Sequence, residues 1–143
     1  MKIFRSKSAK DTMHIGNLLA QSLKGNEVIA FHGEMGAGKT VFTRGIADFF
    51  CLEKEVCSPT FSILNVYESD NINIYHFDIY RITTLEDLES TGFFDYLNKG
   101  IIIIEWSENL NIESLCDNII KITIKKLESF NEREIIIEGS SIG

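Results

Sequence analysis

Between Gly33 and Thr40 the chain reads GEMGAGKT. A glycine, four residues and then Gly-Lys-Thr is the spacing of a backbone loop that wraps phosphate oxygens. Gly33, Gly36 and Gly38 carry no Cβ, so successive N–H groups can turn inward toward an anion. Lys39 stands where an ammonium meets the β- and γ-phosphates of a nucleotide, and Thr40 stands where a hydroxyl offers Mg²⁺ a hard oxygen. Glu34, Met35, Ala37 and Val41 supply the remaining backbone of the cradle. A helix that starts at the end of the loop would add the positive end of its dipole.

Two carboxylates could complete such a site. Four isoleucines, Ile101 to Ile104, lead into Glu105, the pattern of a buried strand that delivers an acid beside a loop-bound metal. Asp78 ends a second strand-like run, in YHFDIYR. Either acid can ligate the metal while the other orients or deprotonates the attacking water. The working assignment places Thr40 and Glu105 on the metal and Asp78 on the water, so that Asp78, Glu105 and Lys39 form the catalytic set. Thr60, in SPTF, has a hydroxyl suited to a loop that senses the γ-phosphate, although Ser-Pro equally starts an ordinary turn. Trp106, the only tryptophan, is more often a core or interface residue than a chemical one, yet its place beside Glu105 puts it near any bound nucleotide. His76 and Tyr80 flank Asp78, and a single histidine beside a strand is more often packed or solvated than chemical. Arg44 and Arg81 could neutralise phosphate charge, although surface solvation is the commoner fate of one arginine.

These residues need strands and helices to place them, and the hydrophobic pattern supplies candidates. EVIAFHGE is the buried strand feeding the loop, and TVFTRGIADFF the helix leaving it. Before them Ile15, Leu18, Leu19 and Leu23 keep one helical face, capped by Ser8 with Asp11 and ended by Lys24 to Asn26. FSILNVYE and NINIYHFD alternate apolar and polar residues about a short turn, which predicts a β-hairpin. Thr84 with Asp87 caps a following helix, and FFDYLNKG continues as a short helical piece ending at Gly100. The apolar IIIIEW belongs in the middle of a sheet, next to the loop-bearing strand. DNIIKITIKK and REIIIEG form a closing hairpin. The expected fold is α/β, one P-loop NTPase-like domain over residues 1–143, with a central, mostly parallel sheet and antiparallel hairpin additions.

Composition narrows the function. A chain of 143 residues with 44% hydrophobic content and one proline has room for one compact nucleotide site. The net charge of −7 argues against a broad nucleic-acid face of its own. Three cysteines without a Cys-x-x-Cys pair suggest neither a disulfide framework nor zinc, so a reduced, cytoplasmic setting is expected. The N-terminus has charge where a signal peptide needs apolar residues, and no run reaches membrane-spanning length. A guanine-reading Asn-Lys-x-Asp is missing: LNKGI has Ile101 in place of the aspartate. The residues alone support a Mg²⁺-dependent nucleotide hydrolase; a small-molecule kinase and a non-hydrolysing nucleotide-binding switch module are the alternatives.

GEMGAGKTVFTRG, SPTF, YHFDIYR and IIIIEWSE, in this order and over a chain of this length, resemble the TsaE family, also called YjeE, of bacterial P-loop ATPases. The likeness spans essentially the whole chain, and four motifs together are far more specific than the loop alone. The resemblance implies an ATPase that works with TsaB and TsaD in making threonylcarbamoyladenosine next to the anticodon of tRNAs reading codons that begin with A. It implies that the transferase chemistry sits on TsaD, that ATP hydrolysis resets the complex, and that tRNA is met only through that complex. It further implies Lys39 and Thr40 as phosphate and Mg²⁺ ligands, Asp78 and Glu105 as the functional acids, Thr60 as part of the γ-phosphate loop and Trp106 as the aromatic beside the site. The cofactors so implied are ATP and Mg²⁺.

Overall fold

The apolar runs of the chain become strands of one sheet in the computed structural model, which describes residues 1–33, 37–52, 56, 63–105 and 110–139. The strands are β1 (Lys2–Ser6), β2 (Val28–Gly33), β3 (Leu64–Glu68), β4 (Asn73–Asp78), β5 (Ile101–Glu105), β6 (Ile119–Lys126) and β7 (Arg133–Glu138). The helices are α1 (Ala9–Ala20), α2 (Lys39–Phe49) and α3 (Leu85–Ser90). Across the sheet the order is β1-β7-β6-β2-β5-β4-β3. The four middle strands, β6, β2, β5 and β4, run parallel; β7 and β1 extend one flank and β3 the other, each antiparallel to its neighbour. This is the expected α/β architecture, mostly parallel in the middle with antiparallel additions.

The run of isoleucines in β5 follows from its place between β2 and β4. All five of its residues are buried, because both faces of the sheet are covered there. Ile101 and Ile103 join the core on the side of α1 and α2, with Ile29, Phe31, Phe42 and Ile46. Ile102 and Ile104 join the opposite core, with Phe77, Leu88 and Phe93. Leu88 comes from α3 and Phe93 from a 3₁₀ turn, Phe93–Tyr96, so one sheet face is covered by long helices and the other by short ones.

Helix starts follow local chemistry. The Ser8 hydroxyl accepts from the Asp11 N–H at 3.0 Å, and the Asp11 carboxylate accepts from the Lys7 N–H at 3.0 Å, satisfying donors that a helix start leaves open. Thr84 does the same for α3 by accepting from the Asp87 N–H. Among the described residues no helix is long and apolar enough to cross a membrane.

Four elements differ from the sequence pattern. Lys2–Ser6 forms an edge strand paired with β7, where charge had argued only against a signal peptide. Helix α1 stops at Ala20, four residues before the predicted break. The buried Glu27 carboxylate explains the turn that follows, since it accepts from the N–H groups of Lys24, Gly25 and Asn26. The second helical piece shrinks to the 3₁₀ turn at Phe93–Tyr96. The closing hairpin does form, but its first strand, β6, sits inside the sheet as the parallel neighbour of β2.

Helices α1 and α2 cross at glycines. A Cβ on Gly45 would collide with the Met13 carbonyl, and one on Gly16 with the Phe42 carbonyl. The close approach seats α2 on the sheet through Phe42, Ile46 and Ala47, all fully buried. Phe42 also meets Phe31 of β2 edge to face, with ring centres 5.7 Å apart. The helix that opens with Lys39 is thus locked to the strand that delivers Gly33.

Candidate functional site

Strand β2 ends at Gly33 with φ +128°, and α2 begins after Gly38 with φ +112°. Both values lie in the region that favours glycine, as the loop spacing predicted. Glu34, Met35 and Gly36 lie outside the described residues. Gly38 offers α2 no side-chain cap, and no acidic residue occupies the first turn. Gly38 has no side chain with which to cap α2 as Ser8 caps α1 and Thr84 caps α3. Lys39 is 6% exposed, Ala37 is fully buried, and Thr40 and Val41 are partly exposed.

A contact that the motifs do not announce braces the loop. Arg133 of β7 donates through Nε to the Ala37 carbonyl at 2.9 Å, and through Nη1 to the carbonyls of Phe130 and Glu132. Because the peptide is trans, turning the Ala37 carbonyl toward Arg133 turns the N–H of Gly38 the opposite way.

The two acids are brought together by strand pairing. Asp78 and Glu105 are direct partners in the parallel β4–β5 ladder, on strands about 4.8 Å apart. Alternation along both strands sends them to the face of Ile74, Ile101 and Ile103, which is the face covered by α1 and α2. The Asp78 Oδ1 accepts from the Tyr80 N–H at 2.9 Å. Burial raises the Asp78 carboxyl above its ordinary value; the Tyr80 N–H opposes this, the Glu105 charge adds to it, and His76 and Lys39 pull it back. Lys39 and the two carboxylates thus share one electrostatic neighbourhood.

His76 is packed, as expected of a histidine beside a strand, and in addition it is fully bonded. It is fully buried, and both of its ring nitrogens are hydrogen-bonded. Nε2 lies 2.9 Å from Glu105 Oε2, and Nδ1 lies 2.9 Å from the hydroxyl of Tyr67, itself 2% exposed. The hint in the sequence was period-two spacing: His76 and Asp78 fall on one face of the same strand. Nothing local in the chain pointed to Tyr67 as its partner. Another histidine, His32 in β2, meets Glu113 at 2.7 Å. That contact ties the strand before the loop to the 3₁₀ turn Ile112–Ser114.

The donor set fits a nucleotide's phosphates with Mg²⁺. It combines an uncapped helix start, a buried ammonium, a partly exposed hydroxyl on the first helical turn and two neighbouring carboxylates. Hard oxygen donors of this kind, few in number and shared with phosphate oxygens, suit Mg²⁺. Of the other candidates, Thr60 and Trp106 lie outside the described residues. Tyr80 is 58% exposed and Arg81 is exposed, while Arg44 is exposed on α2.

Comparison with known proteins agrees with the architecture. Residues 6–135 match the family described as threonylcarbamoyl adenosine biosynthesis protein TsaE. The chain is 41% identical over 123 residues to the tRNA threonylcarbamoyladenosine biosynthesis protein TsaE of Rickettsia typhi, covering 85% of each chain. It is 35% identical to that of Treponema pallidum, over 92% of this chain and 96% of the relative. The crystal structure of Bacillus subtilis YdiB superposes with a TM-score of 0.71 at 27% identity, covering 99% of this chain and 86% of the other. A match over nearly the full length, with relatives alike in size and a shared fold, establishes that the chain belongs to the TsaE family of threonylcarbamoyl adenosine biosynthesis proteins.

Proposed function

We propose that this protein is a Mg²⁺-dependent ATPase that serves a TsaB–TsaD pair in forming threonylcarbamoyladenosine next to the anticodon of tRNAs reading codons that begin with A. It acts in the cytoplasm and meets tRNA only through that complex. The observation that carries the nucleotide reading is the pairing of Asp78 with Glu105 on the sheet face that also holds α2, whose first residues are Lys39 and Thr40.

Bound Mg²⁺ would draw charge off the phosphate oxygens and hold them in line for displacement. The chain's own residues do the rest. The N–H groups at the start of α2 and the Lys39 ammonium hold and orient the triphosphate, and the buried setting strengthens each of those bonds. Thr40 and Glu105 would offer oxygens to the metal. Asp78, raised by burial, takes a proton from water at its free carboxylate oxygen while the Tyr80 N–H holds the other. By their places in the motifs, Thr60 would serve the γ-phosphate and Trp106 would be the aromatic beside the nucleotide.

The local charge that α2 and Lys39 supply leaves the isolated chain short of transition-state stabilisation, and a partner that adds it can be worth several powers of ten in rate. The test is ATP turnover by the purified chain alone, then with TsaB and TsaD from the same source, then with bare tRNA. Slow turnover that accelerates only with the protein partners supports the proposal, and cells depleted of the chain should lose the tRNA modification. Turnover unchanged by TsaB and TsaD, together with intact modification in depleted cells, rejects it. Transfer of phosphate to an added small acceptor would make the chain a kinase instead.

A further inference from the structure

A carboxylate used as a metal ligand gains from a second layer of hydrogen bonds that fixes its orientation and charge. Glu105 has such a layer, built from a strand at the outer edge of the sheet. Oε2 of Glu105 meets Nε2 of His76 at 2.9 Å, and Nδ1 of His76 meets the Tyr67 hydroxyl at 2.9 Å. The three residues come from three adjacent strands, β5, β4 and β3. His76 is fully buried, Tyr67 is 2% exposed and Glu105 7%.

Buried polar chains of this kind hold together only when every donor finds an acceptor. An ionised carboxylate has only acceptors, so the bond to Glu105 requires the proton on Nε2 of His76. Nδ1 of a neutral imidazole is then an acceptor, and the Tyr67 hydroxyl supplies the donor. With the ring neutral and Glu105 ionised, the direction runs from tyrosine to histidine to glutamate, with one tautomer of the ring. Core packing alone does not need this arrangement. Ile74, two residues before His76 on the same face, fills its place in the core without any polar group.

We propose that Tyr67 and His76 are positioning residues for Glu105: they hold Oε2, lock the carboxylate's rotamer and leave Oε1 as the oxygen offered to a divalent cation. The proposal rests on the nucleotide-site reading and adds that the outermost strand, β3, takes part in the site although its tyrosine touches neither nucleotide nor metal.

The test uses the full chain and three variants. Tyr67→Phe removes one hydroxyl from an unchanged ring, His76→Leu removes both bonds, and His76→Gln keeps a donor able to reach Glu105. Nitrogen NMR of the imidazole in nucleotide-free protein should show the proton on Nε2, and Tyr67→Phe should move the Nδ1 signal. Calorimetry should show ATP binding without metal unchanged in the variants. The Mg²⁺-dependent gain in ATP affinity should fall several-fold in Tyr67→Phe and about 10- to 100-fold in His76→Leu, with part of it returning in His76→Gln. In a Glu105→Gln background the same changes should cost nothing further. A proton found on Nδ1, an equal loss of ATP binding with and without Mg²⁺, or losses that add to Glu105→Gln would each overturn the proposal. Tyr67→Phe keeps the question answerable if His76→Leu does not fold. Wild-type chain that fails to bind Mg²⁺-ATP would overturn the nucleotide reading and this proposal together, whereas wild type that binds and variants that match it would overturn this proposal alone.

Discussion

Asp78 and Glu105 stand opposite each other in the parallel ladder between β4 and β5, so two strands far apart in sequence present two carboxylates on one face of the sheet. Like charges this close raise the cost of ionising both, and the Glu105 charge contributes to the raised Asp78 carboxyl. A cation beside the pair would lower that cost. The pairing also separates two roles that single substitutions can tell apart.

Glu105→Gln should weaken Mg²⁺-dependent ATP binding, and Asp78→Asn should lower turnover by about 100-fold or more while leaving Mg²⁺-ATP affinity within a few-fold of wild type. Calorimetry with single-turnover kinetics on both variants decides the matter. The opposite pairing of effects would exchange the roles of the two acids.

Lys39→Ala should abolish most ATP hydrolysis, a fall of about 100-fold or more, because a charge-assisted bond to phosphate disappears. The fold should survive and the melting temperature stay close to that of wild type, because the Lys39 side chain belongs to the site and not to the apolar core. Full activity in this variant would remove the phosphate loop from the mechanism.

Asp78 should also set a pH dependence of stability. Its folded carboxyl is raised above 3.8, so the folded state binds this proton more tightly than the unfolded chain does, and stability falls as pH rises through that window. Asp78→Asn removes the cost, and its amide oxygen can still accept from the Tyr80 N–H. The variant should melt higher than wild type at pH 7, with the advantage shrinking as pH falls toward 3.8. A variant less stable than wild type at pH 7 would contradict this account.

Gly45→Ala should destabilise the fold by about 1–3 kcal/mol or more, the usual cost of overpacking. The added methyl falls on the Met13 carbonyl, and backbone cannot step aside as a flexible side chain can. Denaturant melts measure the loss. Because α2 carries Lys39 and Thr40, the variant should also lose ATP affinity at temperatures where it remains folded. Unaltered stability would mean that α1 and α2 can separate at no cost.

Local pattern was enough to specify the glycine turns at Gly33 and Gly38 and the helix start at Lys39, the caps at Ser8 and Thr84, the strand character of Ile101 to Ile104 and even its central place beside β2. Each depends on neighbours a few residues away: turn sterics, a side-chain oxygen in reach of its own helix start, or a run of branched apolar residues that only a doubly covered strand can bury. Thr60 and Trp106 were legible as motif residues alone. The remainder depended on partners distant in the chain. Lys2–Ser6 is too short and too charged to declare itself a strand, and becomes one because β7 presents an open edge. Gly16 and Gly45 look like weak points in two helices until the helices cross there. Arg133 reaches Ala37 across 96 positions, and His76 reaches Glu105 across 29. Hydrogen bonds over such separations are set by sheet order and register, which depend on how the whole core packs. Sequence therefore determined which residues could do the chemistry, and tertiary structure decided that Tyr67, His76, Asp78 and Glu105 would meet, because strand order chooses neighbours that periodicity cannot see.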